Sequence, residues 1–169
     1  ALPLRRSELL AGTFLGVLIL SVLGALYGAG GLALILGVKT GVYTIRPVIA
    51  ALLASVTFAA IYGAMLAVAV VIRSAAISAA TGVLLLIAGT IAGYRDQFDA
   101  FFESGVARSV FRGITLFLPR VSTLANTSSD YAGSLPIDGG ALASQIAGLG
   151  IFGFAALALG IHLFEQKDF

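Results

Sequence analysis

Cysteine and tryptophan are both absent from this chain of 169 residues, and methionine and histidine occur once each. Without cysteine there is no disulfide framework and no thiolate chemistry, and nothing in the sequence reports on redox compartment. Without tryptophan, only Tyr, Phe and snorkelling Arg remain to mark a membrane–water interface. The lone His162 cannot assemble a zinc-type ligand set, and its place near the end of the last apolar stretch suits an interfacial role better than proton relay. Charge is scarce too. Charged residues make up 11% of the chain and hydrophobic ones 59%, with a formal net charge of +2 and a mean hydropathy of +1.06. The scattered basic residues leave no nucleic-acid footprint. No Gly-rich phosphate loop of the GxxxxGK[ST] kind occurs, and Ser7 and Ser74 have no base at a useful spacing, so neither nucleotide hydrolysis nor nucleophilic catalysis is expected of the chain itself. No cofactor or metal is implied.

What is present is four long apolar stretches, at about 9–38, 47–72, 75–93 and 141–164. Each approaches or exceeds the ~20 residues an α-helix needs to cross a hydrocarbon core about 30 Å thick. Helices of a soluble domain would show an amphipathic period, and membrane strands would alternate strictly over about ten residues; neither pattern fits these stretches. The expectation is a single all-α domain over 1–169, a polytopic transmembrane bundle of four helices. Arg5 and Arg6 ahead of the first run could suggest a secretory signal, but the run is too long for a signal core and no cleavage site follows it. The chain begins with Ala, as a processed product or a fragment would.

Glycines punctuate the first span. Gly12/Gly16 and Gly24/Gly28, and later Gly89/Gly93, have the small-xxx-small spacing that lets helix backbones approach closely. Gly30 and Gly31 could kink or end the first helix. Residues 39–46 form a polar connector, and Pro47 suits the first turn of the next helix. Arg73 and Ser74 interrupt an otherwise continuous apolar run, which requires a tight turn there, because an unpaired Arg at the bilayer centre costs several kcal/mol.

Residues 94–140 are more polar. On a helical projection Phe98, Phe101 and Phe102 share one side, with Asp96, Asp99 and Glu103 on the other. These three acids read as a solvated face. From Val106 to Leu118 the apolar residues Val106, Val110, Ile114, Phe117 and Leu118 face together, opposite Arg108 and Arg112. The two faces are out of phase, with Gly105 at the join. The expectation is a broken amphipathic element lying on the membrane surface or dipping into it, ended by Leu118 and Pro119. Residues 126–140 then read as a polar loop, in which Asn126-Thr127-Ser128 matches a glycosylation acceptor.

Four spans put both ends of the chain on one side. Arg5, Arg6, Arg73 and Lys167 would share that side, while Lys39, Arg46, Arg95, Arg108, Arg112 and Arg120 would lie on the other. Taken literally this count favours outside termini, but the acids among the loop arginines leave orientation close to even.

The two ends carry a resemblance. The run Leu2-Pro3-Leu4-Arg5-Arg6-Ser7-Glu8, followed by Leu9-Leu10-Ala11-Gly12-Thr13, resembles the stretch in ABC-2 type ABC transporter permeases that follows the cytoplasmic coupling segment. The closing Phe164-Glu165-Gln166-Lys167-Asp168-Phe169 is similar to that family's usual ending. The turn at Arg73 and Ser74 and the Leu118-Pro119 pair before the last helix fit as well. Thr13 stands where the family often has Lys. The resemblance covers the chain as the C-terminal two-thirds of a six-span permease, lacking the first two spans. It implies an exporter subunit of the cell membrane with cytoplasmic ends and residues 94–140 outside. An ABC-type ATPase, a second permease subunit and membrane lipid are the implied partners. Pro3, Arg5, Arg6 and Glu8 would meet the ATPase, and the glycine-bearing helices would pair the two permeases. A bland alternative for the arginines is anchoring at headgroups. Two other readings compete: a noncatalytic membrane scaffold or anchor subunit, and an ion-coupled secondary carrier, which would need ionisable groups inside the bundle.

Overall fold

The computed structural model describes residues 6–102 and 105–166, apart from the side chain of Arg6, and these form seven helices and no strand. The order is α1 (Arg6–Thr40), α2 (Arg46–Ile72), α3 (Ala75–Gly93), α4 (Arg95–Asp99), α5 (Val106–Phe117), α6 (Val121–Ala132) and α7 (Gly139–Glu165). The fold is all-α. Helices α1, α2, α3 and α7 are long and apolar enough to cross a membrane.

Helix α1 runs unbroken through Gly30 and Gly31, so the pair neither kinks nor ends it. Apolar residues flank the pair on both sides. A break there would free backbone polar groups in an apolar setting, which costs more than the roughly 1 kcal/mol of a helical glycine. The helix stops at Gly41, whose φ of +73° is the left-handed conformation glycine adopts without strain; its N–H donates to the Gly37 carbonyl at 2.8 Å. Pro47 sits in the first turn of α2. Helix α2 ends at Arg73, in left-handed conformation, whose N–H donates to Ala69 O. Ser74 then caps α3, its hydroxyl accepting from the Ile77 N–H. This two-residue turn makes α2 and α3 antiparallel neighbours, and the Ser78 hydroxyl ties them by donating to Met65 O at 2.7 Å.

The closest helix pair is α2 with α7. A Cβ on Gly153 would stand 2.7 Å from the Ala60 Cα, and one on Gly160 would stand 3.0 Å from the Ala67 Cα. The two alanines and the two glycines pair in the same chain order, so α2 and α7 run parallel. The start of α1, the Arg73–Ser74 turn and the end of α7 therefore share one end of the bundle, the terminal end. The connector 41–45 and helices α4 to α6 occupy the other, the looped end.

Residues 126–140 are not all loop: α6 continues to Ala132 and is a packed element. Val121 and Leu124 join Ala60, Ile61 and Leu149 in the buried core. The segment stays helical despite its Ser and Thr content because the hydroxyls bond back into their own helix: Thr127 Oγ1 to Thr123 O at 2.9 Å, and Ser128 Oγ to Leu124 O at 2.7 Å. Val121 lies against Gly89, Ser122 against Gly93, Asn126 against Tyr94, and Tyr131 under the Arg46 guanidinium. Helix α6 therefore climbs from inside the bundle to its looped end, and with α5 it forms a helical hairpin whose tip is Leu118 and Pro119.

Candidate functional site at the looped end

Three short helices converge at the looped end, and charge holds the first two together. Arg108 and Arg112 stand one helical turn apart on α5, so both guanidinium groups reach the same point. That point is Asp99, the last residue of α4, whose side chain is only 8% exposed. Arg108 donates from Nε to Oδ1 at 2.9 Å and from a terminal nitrogen to Oδ2 at 2.6 Å. Arg112 donates from Nε at 3.0 Å to Oδ1 and 3.1 Å to Oδ2, and its terminal nitrogen donates to Oδ2 as well. The hydrogen bonds from Arg108, then those from Arg112, hold the Asp99 carboxyl well below the usual carboxylate range, against a smaller opposing effect of burial. The same contact with Asp99 raises the Arg108 pKa. A depressed carboxylate stabilises the fold fully above its ordinary pKa of about 4, and that contribution disappears only as pH falls through the lower folded value.

This clasp corrects the reading of Asp96, Asp99 and Glu103 as one solvated face. Asp96 is exposed and pairs with Arg95 at 3.6 Å, whereas Asp99 is buried under two cations; Glu103 lies outside the described residues. With the arginines turned inward to Asp99, α5 shows its apolar side outward: Val106 and Phe117 are each 81% exposed, and Val110 and Ile114 are exposed too. An amphipathic helix with its polar face pinned and its apolar face open is built to lie in lipid. Phe102 packs on Phe111, ring centroids 4.9 Å apart, across the join at Gly105.

Helix α6 is held by side-chain bonds to its neighbours. The Ser122 hydroxyl donates to Thr90 O at 3.1 Å, the Asn126 amide donates to the Tyr94 hydroxyl at 2.9 Å, and the Thr127 hydroxyl oxygen lies 3.1 Å from the Gln145 side-chain amide. The glycosylation-like triplet thus lies within a helix whose Asn is already bonded. Between the hairpin tip and α7 lies a cleft of about 490 Å³, walled by Phe117, Pro119, Leu149, Ile151 and Phe152, with Arg120, Ser144 and Gln145 supplying its polar groups.

The other expected residues divide among several places. Pro3 and Arg5 lie outside the described residues. Arg6 begins α1, and Glu8 is exposed in its first turn, where a carboxylate suits the positive end of the helix. Gly12, Gly16, Gly24 and Gly28 have nothing of this chain within 4 Å of a Cβ position. Gly89 and Gly93 are used inside the chain: they admit Val121, Pro119 O and Ser122 of the hairpin. His162 is in the last turn of α7, its Nε2 2.9 Å from the Gln166 amide nitrogen. No group of three metal-ligating side chains occurs among the described residues.

Comparison with known proteins adds nothing to this geometry: no family model, no curated protein and no solved structure matches the chain.

Sequence reasoning missed the clasp because its partners are separated by the Gly105 break, so neither helical projection contained both signs. It missed the α2–α7 contact as well. Ala60 with Ala67 and Gly153 with Gly160, small residues at matched intervals on two spans, were the available signal.

Proposed function

We propose that the chain is a permease subunit of an ATP-driven ABC transporter of the ABC-2 type, embedded in the cell membrane and working as an exporter. It performs no hydrolysis itself; an ABC-type ATPase does, and a second permease subunit completes the pathway. The observation that supports this most is that Glu8 and Glu165 stand at the same end of the bundle, as the resemblance of both chain ends requires. A further support is the lack of acid in the spans: α1, α2, α3 and α7 contain no Asp or Glu besides Glu8 in the first turn of α1 and Glu165 at the end of α7. That leaves little for proton or sodium coupling, which needs ionisable groups inside the bundle. Closure of the ATPases would push the segment from Pro3 to Glu8, and packed helices would carry the displacement to the looped end and change which side of the pathway is open.

The test is co-purification with the ATPase followed by substitution of Arg5 and Arg6 with Ala. The expected result is a fall in transport-coupled ATP turnover of about tenfold with membrane insertion intact, as loss of two interface arginines would give. A scaffold or anchor subunit gives a different outcome: no stimulation of ATP turnover at all, with the arginines affecting insertion only.

A further inference from the structure

We infer that the cleft between the hairpin tip and α7 binds an anionic amphiphile, a single negatively charged headgroup on an apolar body. The inference starts from Arg120. This residue follows the hairpin tip, is exposed, and makes no ion pair among the described residues. The other loop arginines are engaged: Arg95 with Asp96, Arg108 and Arg112 with Asp99, and Arg46 over the Tyr131 ring.

Arg120 is also deep. The part of α7 lining the same cleft runs from Ser144 to Phe152, which begins about 8 Å and ends about 20 Å along the helix from Gly139 at 1.5 Å per residue. A guanidinium lining a cleft with such apolar walls is stabilised by an anion or water. Its position favours the anion. Arg120 is the N-cap of α6 and supplies no side-chain cap, so its charge stands at the positive end of a helix, where a cation is disfavoured until an anion joins it.

The remaining groups fit the same ligand. Gln145, 3.1 Å from the Thr127 hydroxyl, adds a side-chain amide to the polar lining beside Arg120. Phe117 and Ile151, both largely exposed, form an apolar wall open to the side, so that a tail can enter laterally from lipid. At about 490 Å³ the cleft holds a headgroup and the first part of a chain, the size range of small-ligand sites. Cation and apolar walls together select an anion that carries a tail, and disfavour both a neutral lipid and a bare anion. Describing this ligand as cargo rests on the permease proposal; the binding itself does not.

The experiment uses the absence of tryptophan. The Phe117→Trp variant of the full chain, reconstituted in vesicles, has a single tryptophan, placed on the cleft wall and excited apart from the tyrosines. Brominated phosphatidic acid should quench it about fivefold more efficiently than brominated phosphatidylcholine, the preference expected of one arginine facing an anionic lipid. Arg120→Gln should abolish the preference and Arg120→Lys should keep it. Ile151→Trp repeats the measurement from the α7 side of the cleft, in case the first reporter disturbs packing. Dodecyl phosphate should relieve the quenching and inorganic phosphate should not. Equal quenching by the two lipids, a preference that survives Arg120→Gln, or displacement by inorganic phosphate would overturn the inference. None of these results depends on an ATPase, so their failure is distinct from failure of the permease proposal.

Discussion

Helices α1 and α7 both carry glycines along their length, yet only α7 has glycines that touch another helix of the chain. Gly153 and Gly160 press on the Ala60 and Ala67 backbones of α2, while Gly12, Gly16, Gly24 and Gly28 meet nothing within 4 Å. The difference lies in which face of each helix meets α2. Toward α7 it presents Ala60, Gly63 and Ala67, and two backbones can come together. Toward α1 it presents aromatic rings: Phe14 stacks on Tyr62 with centroids 5.8 Å apart, and Tyr62 stacks on Phe58 at 5.5 Å. Phe14 faces α2, while Gly12 and Gly16 stand two residues to either side of it, about 200° around the helix, and so face away from α2. Small-residue spacing on one helix is therefore only half of a contact; the small residues must also lie on the face that meets the partner.

That contrast can be broken by experiment. The largest effect is expected from Gly153→Leu, because its Cβ would meet backbone that cannot rotate away; a loss of about 2–3 kcal/mol is expected, as for other overpacked sites, read from unfolding in detergent. A smaller loss, about 1 kcal/mol, is expected of Gly93→Ala, since the Ser122 hydroxyl must turn aside and give up its bond to Thr90 O. In a Ser122→Ala background the same substitution should cost less, and equal costs in both backgrounds would dissociate Gly93 from that bond. The smallest effect is expected of Gly24→Leu, within about 0.5 kcal/mol of the parent, because the added side chain meets open space. If it destabilises the chain as much as Gly153→Leu does, the distinction between the two helices is wrong. Should it leave the association of two copies unchanged in sedimentation measurements, Gly24 has no part in pairing them.

The long helices were legible because lipid-length apolar runs have few alternatives. The boundaries at Thr40, Arg46, Ile72 and Gly93 follow from Gly41, Pro47, Arg73 with Ser74, and the polar residues after Gly93. Helix α6 was not legible in the same way. Its composition is that of a loop, and only the recurrence of Val121, Leu124 and Ser128 on one side hints at a buried face. The candidate site was legible in parts. The amphipathic sides of α5 were apparent from periodicity, but Asp99 was assigned to solvent because its partners lie beyond a break that no single helical projection spans. Arg120 was visible only as one more loop arginine until the hairpin brought it against α7.

The length of α1 has a mechanical consequence. Its 35 residues span about 52 Å, more than the roughly 30 Å of hydrocarbon, and a tilt alone cannot absorb the excess. Measured from the stacked Phe14, about 12 Å of rod lies toward Arg6 and about 39 Å toward Thr40. Were α1 to pivot at that ring, an ångström at the short arm would become about three at the long one.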